Sequence, residues 1–465
     1  MKKNLLHIIF SNILYLLLVA GNNFLLPKFA SVDVYAAVKE YTLYITTYGT
    51  ILTLGYTQGM YIRYGGKEVS RLEPRDVGMN VFSFFGLMLP VSIIITIYGV
   101  AIQNSILAVL GVGLLSSNLC GYYQTFYQAT GDFKSYGFAL NASRFLTLGI
   151  NAMFIFIFKT QNEIFYVGIS PLIGITVAIY LTVVLNKRVK FLKNMRFSSL
   201  MVKENIKDGF VLMVGDFVTK LFSSIDKWFI KYLMDTFYFA MYSFAVSMEN
   251  LVNTFMTPVT VSMYNFFCKK PSLSNIRQMK ELSTIYSFVV IAGAFPCKWI
   301  LEHFMQNYIS SAEVVFLLFA AQGLSTIIKG IYVNKYKADE MQNKYLKQMI
   351  LILVLTAVLN IAFYSINHSM VAIATATFVT NLVWLILCEI KNPELRYNFK
   401  TFICISIMLV VYIFLGYCFS AIYGCILYCA IGLICLFVFM RESFVFAVDS
   451  VMETTKSKMS LNKEQ

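Results

Sequence analysis

Asp216, Lys220, Ser223 and Lys227 fall at offsets 0, +4, +7 and +11 of an otherwise apolar run, GFVLMVGDFVTKLFSSIDKWFIKYL over 209–233. A helix turns 100° per residue, so these offsets nearly coincide and the four side chains form one stripe. The chemistry available to them is ionic. Lys220 and Lys227 can compensate an anion; Asp216, Asp226 and, further on, Glu249 can take up H⁺ or Na⁺. An Asp–Lys pair at i,i+4 also has the simpler role of mutual neutralisation. The pattern recurs along the chain: Tyr242, Glu249, Asn253 and Thr260 share a face; so do Lys39, Thr46, Thr50, Thr53 and Thr57; so do Asn12 and Asn23; and Arg144 stands seven residues before Asn151. Threonine and asparagine offer hydroxyl and amide partners to a polar ligand, and equally serve to pack one helix on another.

The elements that must carry these residues are set by hydropathy. Of 465 residues 58% are hydrophobic and only 13% charged, where a soluble chain would be about a quarter charged. The apolar residues come in runs of about 20, the length a helix needs to cross ~30 Å of hydrocarbon. No alternating ten-residue pattern of a membrane β-barrel occurs. Fourteen spans are expected, at about 5–26, 37–61, 77–100, 104–127, 137–158, 164–185, 209–231, 237–263, 281–301, 313–333, 347–366, 369–389, 402–421 and 423–444. With the N-terminus inside, twenty-nine of the 38 Lys and Arg fall in inner segments, five in outer ones, and four (Arg144, Lys220, Lys227, Lys329) lie within spans. One span more or fewer would reverse every later loop and erase that asymmetry, so the N-in, C-in count is internally consistent.

The net charge of +14 therefore reads as topology and contact with anionic headgroups rather than nucleic-acid binding. Nine cysteines show no CxxC or metal spacing, and no metal or other cofactor is implied. There is no phosphate loop, no HExxH and no long outer loop, which argues against an enzyme, whether a nucleotide hydrolase or a polymerase with an external catalytic domain.

Shifting the sequence by 203 residues lays YAAVKEYTLY (from Tyr35) over YFAMYSFAVS (from Tyr238) and TQGMY (57–61) over TVSMY (260–264). A parallel repeat follows as an expectation: an N-terminal lobe over 1–185, a basic inner loop over 186–208, a second six-helix lobe over 209–389, and two extra spans with a tail over 390–465. Charges deep in a bilayer cost roughly 2.5–3.5 kcal/mol each, so they should face protein or water. The polar faces of spans 1, 2, 7 and 8 are thus expected to line a hydrated cavity.

Three stretches carry a resemblance. LLPKFASVDVYAAVKEYTLYI, TLGYTQGMYIRYGG and SSIDKWFIKYL resemble the end of span 1 with the start of span 2, the exit of span 2, and the Asp-basic signature late in span 7 of bacterial polysaccharide flippases of the Wzx type, in the multidrug/oligosaccharidyl-lipid/polysaccharide exporter superfamily. The resemblance covers essentially the whole chain and implies a MATE-like all-α fold in the bacterial cytoplasmic membrane. It implies a substrate, a polyprenyl-pyrophosphate-linked oligosaccharide for O-antigen or capsule, and as partners a polysaccharide polymerase and a chain-length regulator. On that footing Arg144, Lys220, Lys227 and Lys39 would compensate the pyrophosphate. Thr46, Thr50, Thr53, Asn23 and Asn253 would meet sugar hydroxyls, and Asp216, Asp226 and Glu249 would couple an ion. The rival is a MATE-type drug or cation antiporter, which would want acids to dominate its cavity.

Overall fold

The computed structural model describes residues 2–449, with side chains from residue 14 onward except at 15–16, 133, 136, 139–140, 252, 254–259, 261 and 342. The side chain of Asn12, the surroundings of Pro258 and the tail over 450–465 thus lie outside the described residues. The architecture is all-α and polytopic, with no strand among the described residues. The first helices are α1 (Lys2–Phe29), α2 (Val32–Leu52), α3 (Tyr56–Tyr64), α4 (Pro74–Ala101), α5 (Ser105–Ala129), α6 (Phe133–Phe156) and α7 (Glu163–Val189). There follow α8 (Ser199–Phe222), α9 (Ile225–Leu233), α10 (Thr236–Cys268), α11 (Leu273–Ile291), α12 (Ala294–Phe304), α13 (Ala312–Ile327) and α14 (Asn334–Ala338). The last are α15 (Gln342–Ile366), α16 (Met370–Lys391), α17 (Phe399–Cys418) and α18 (Ala421–Phe439).

Four consecutive pairs, α2/α3, α8/α9, α11/α12 and α13/α14, each fall in one expected span, so the eighteen α-helices of the described residues group into fourteen segments near the expected places. Nine segments among the described residues are long and apolar enough to cross a membrane. The polar-striped α2 and α8 are not among them.

The short connections carry the caps. Ser31, Asn104, Asp132, Asn162, Ser198, Ser272, Ser369 and Asn398 each accept a hydrogen bond from a backbone N–H in the first turn that follows. Pro74 begins α4, where its missing N–H is harmless. Between α2 and α3 the chain turns through Leu54 (φ 51°) and Gly55 (φ 89°), a left-handed step that only the glycine takes at no cost. Between α8 and α9, the hydroxyls of Ser223 and Ser224 both donate to the carbonyl of Lys220, at 2.9 and 2.8 Å, and help end the helix there.

The chain forms two compact units, Met1–Ala240 and Met241–Gln465. Helices α8 and α9 belong by contact to the first unit, so the basic loop at 186–208 and the boundary between units are different features. The core of the first unit is aromatic: Tyr56, Tyr64, Phe84, Tyr122, Tyr123, Phe126 and Tyr127 are buried together. Tyr56 donates to the carbonyl of Asn80 and Tyr122 to its Oδ1, both at 2.8 Å. The second unit is built around α13, whose residues from Val314 to Ile327 are all buried. A helix apolar on every side belongs in such a place. It passes into α14 through a π-helical turn over Ile328–Val333.

Candidate functional site

In the first unit α2/α3 and α8/α9 run antiparallel and are joined by polar rungs along their length. Lys231 Nζ meets Glu40 Oε2 at 2.5 Å. The Trp228 indole donates to Thr47 Oγ1 at 3.3 Å. Lys220 Nζ donates to Thr50 Oγ1 at 2.8 Å. Gln58 Nε2 donates to Asp216 Oδ2 at 3.1 Å. Arg63 closes the far end, with Nη1 3.1 Å from Glu204 Oε2 and Nη2 2.6 Å from Asp76 Oδ1. Numbers rise along one partner as they fall along the other, so a single register satisfies all five rungs. Around Trp228 lie the rings of Tyr44 and Tyr232 at 5.4 and 5.7 Å and of Tyr48 at 5.8 Å.

Between the rungs the backbones touch. A Cβ at Gly59 would stand 2.0 Å from the carbonyl oxygen of Asn205, and one at Gly209 would stand 2.0 Å from that of Gly55. The TLGYTQG stretch thus serves two ends: a glycine at the left-handed step and a second glycine one turn on, both facing α8.

A further cation stands on α2, one residue before Glu40. Lys39 of α2 donates to Asn23 Oδ1 of α1 at 3.1 Å and sits 5.1 Å from the centre of the Tyr35 ring. The charged groups that act on it are Lys227 of α9 and Arg144 of α6. Asn151, on the Arg144 helix, donates to Asn22 Oδ1 of α1 at 3.2 Å and ties α6 to α1.

The remaining candidates divide. Thr46 is exposed and its hydroxyl turns back to the carbonyls of Thr42 and Leu43; Thr53 is buried and bonds to the carbonyl of Thr50. These hydroxyls satisfy their own helix. Asp216 pairs with Gln58 across the seam, and Lys220 with Thr50, rather than with each other. Asp226 is half-buried on α9. Glu249 and Asn253 belong to the second unit, where Gln322 Nε2 donates to Asn253 Oδ1 at 2.8 Å and Glu249 acts electrostatically on Lys329 at the π-helical turn.

Sequence reasoning missed Glu40, Gln58 and Trp228, because each pairs with a residue some 160 to 190 positions away. It also set Lys280 in an inner loop. Helix α11 begins earlier, and Lys280 is buried within it. Its Nζ lies 2.5 Å from Glu389 Oε1, 2.6 Å from the Leu395 carbonyl and 3.3 Å from the centre of the Tyr397 ring. Glu389 also accepts from the Tyr332 hydroxyl at 2.5 Å and the Tyr397 N–H at 2.9 Å. The pair is fully satisfied, which is the condition for burying it. No group of three or more His, Cys, Asp or Glu placed to hold a metal ion occurs among the described residues.

No family model matches the sequence, and no curated protein matches it. Solved structures do. The lipid II flippase MurJ in an inward closed conformation matches with a TM-score of 0.55 and 14% identity, over 97% of this chain and all of the other. The MATE multidrug transporter DinF-BH matches with a TM-score of 0.53 and 14% identity, over 84% of this chain and 94% of the other. An inward-facing multidrug resistance MATE family transporter of the MOP superfamily matches with a TM-score of 0.52 and 12% identity, over 83% and 95%. The chain has the multi-pass membrane fold that MATE transporters and MurJ share.

Proposed function

We propose that the protein is a flippase for polyprenyl-pyrophosphate-linked oligosaccharide repeat units, working by alternating access in the bacterial cytoplasmic membrane with both termini inside. The observation that carries this reading is Lys39 hydrogen-bonded to Asn23 in the first unit, with the charges of Lys227 and Arg144 acting on it. A pyrophosphate carries two or more negative charges and accepts several charge-assisted hydrogen bonds, which cations along a transport path would supply. Fold likeness to a lipid II flippase over nearly the whole chain is consistent with a lipid-linked substrate. Asn23 and Thr50, which bond to Lys39 and Lys220, remain candidates for meeting sugar hydroxyls. Asp216, Asp226 and Glu249 remain candidates for coupling to H⁺ or Na⁺, with Asp216 and Lys220 on the seam that must rearrange if its two sides part. The sequence-defined lobes over 1–185 and 209–389 are taken as the halves that move.

Fold likeness to MATE transporters supports a drug or cation antiporter as the second reading. Deletion of the gene followed by lipid extraction separates them. Accumulation of a lipid-linked oligosaccharide on the inner leaflet is expected; unchanged glycolipids with altered drug sensitivity would establish the rival. Within the flippase reading, Lys39→Ala, Arg144→Ala and Lys220→Ala should each impair surface polysaccharide at normal membrane abundance. Normal polysaccharide in the combined variant would remove these residues from the site.

A further inference from the structure

The segment joining α7 to α8 is held rigidly against the first unit. Val189 and Phe191 are buried. The carbonyls of Phe191 and Asn194 come so close to Gly78 of α4 that a Cβ there would stand 2.8 Å from each. The Ser198 N–H donates to Ser83 Oγ at 2.9 Å, and the Leu192 N–H to Asn186 Oδ1 at 3.0 Å. Fixed in this way, the strap turns two kinds of side chain outward. Lys190, Lys193 and Arg196 are exposed and make no ion pair among the described residues. Leu192, Phe197 and Leu200 stand between and beside them, 42, 55 and 64% exposed. Two acids of the first unit are engaged elsewhere: Glu204 with Arg63, and Asp132 with Arg188.

A solvated loop has no use for three exposed large apolar side chains, and a soluble polyanion would be met by cations alone. Basic and apolar residues interleaved on one rigid edge fit an interface with charged headgroups above and acyl chains below. We propose that this strap is a docking surface for the anionic phospholipids of the leaflet on the side of the basic loops, with Lys190, Lys193 and Arg196 on the phosphates and Leu192, Phe197 and Leu200 in the acyl boundary. The proposal depends on the membrane fold and not on the transported substrate. Its surface is separate from Lys39, Lys227 and Arg144, which lie on other helices.

The test uses the full chain in nanodiscs, with Phe197→Trp as reporter and the parent chain subtracted for its own three tryptophans. Brominated phosphatidylglycerol is expected to quench the reporter several-fold more than brominated phosphatidylcholine at equal content. The preference should fall as salt screens it. Replacing Lys190, Lys193 and Arg196 by Gln should bring the two lipids level while quenching by brominated lipid persists. A reporter quenched by aqueous iodide and not by either lipid would overturn the proposal, as would a lipid preference unchanged in the triple variant. Heparin that displaces the lipid effect entirely would reassign the strap to a soluble polyanion and also overturn it.

Discussion

If the backbone contact between α3 and α8 sets the seam, Gly59→Ala must be among the most damaging small changes in the first unit. The added Cβ would stand 2.0 Å from the Asn205 carbonyl oxygen, 2.6 Å from its carbon and 2.7 Å from the Cα, all backbone, and real Cβ atoms essentially never approach closer than 3.0 Å. The helices must therefore separate by about 1 Å. No side chain can rotate away instead. Overpacking a core costs about 1–3 kcal/mol when side chains can adjust, and here two backbones and the neighbouring rungs move together, so the upper end, about 3 kcal/mol, is expected. That is a factor of roughly 100 in the folding constant. Gly215→Ala is the control: it lies on the same helix α8 with nothing within 4 Å of its Cβ, and helix propensity alone should gain up to about 1 kcal/mol. Denaturation of both variants in one detergent, followed by near-UV signal and by monodispersity, reads the difference. Gly59→Ala as stable as the parent, with Gly215→Ala no better, would mean that α3 and α8 are not in contact as described.

Two further perturbations have outcomes fixed by the structure. Lys280→Met leaves Glu389 buried without its cation and should cost about 3–5 kcal/mol, whereas Lys280→Met with Glu389→Gln should regain most of it; equal yields of folded protein from the single and double variants would contradict the pairing. Asp132 lies outside the spans, capping α6, and although burial opposes its charge, hydrogen bonds from Ser135 and the Arg188 guanidinium hold its carboxyl below the ordinary value. A carboxyl lowered on folding stabilises at pH above its unfolded value, about 3.9, and the benefit disappears as pH falls through the folded value. Asp132→Asn should therefore be the less stable protein at pH 7, with the gap closing below about pH 4; a gap constant from pH 7 to 3.5 would show that the charge is not what Asp132 contributes.

The span positions were legible in the sequence because bilayer thickness imposes one length on every crossing helix, and the charge asymmetry of the loops checks the count. The breaks inside spans were not. Leu54–Gly55 carries a glycine but no proline, and Ser223–Ser224 carries neither, so nothing in the hydropathy marks them. The stripe from Asp216 to Lys227 was visible as a helical face, but periodicity says only which residues share a face, not what faces them. Gln58, Thr47 and Glu40 answer that, and no local rule connects them to α8 or α9. Lys280 was misplaced for a related reason: a lysine near a span end reads as a loop cation unless its carboxylate, here more than a hundred residues on, is known.

Polar stripes in a membrane helix have two uses, and the structure separates them by charge. Thr46 and Thr53 bond to their own backbone, Thr50 and Thr47 accept from Lys220 and Trp228, and Asp216 accepts from Gln58. Each of these groups has a hydrogen-bonding partner within the unit, as a polar group among membrane helices needs. Lys39, Lys227 and Arg144 are the cations on which the flippase reading rests. Lys39 donates to Asn23, and the charges of Lys227 and Arg144 act on it with its own sign. On the flippase reading a ligand with several negative charges would meet these cations, whereas a drug or cation antiporter would have no use for them. Reversing the sign at Lys39 should separate the two transport readings more sharply than neutralising it, since an acid there would repel a pyrophosphate and attract a cation.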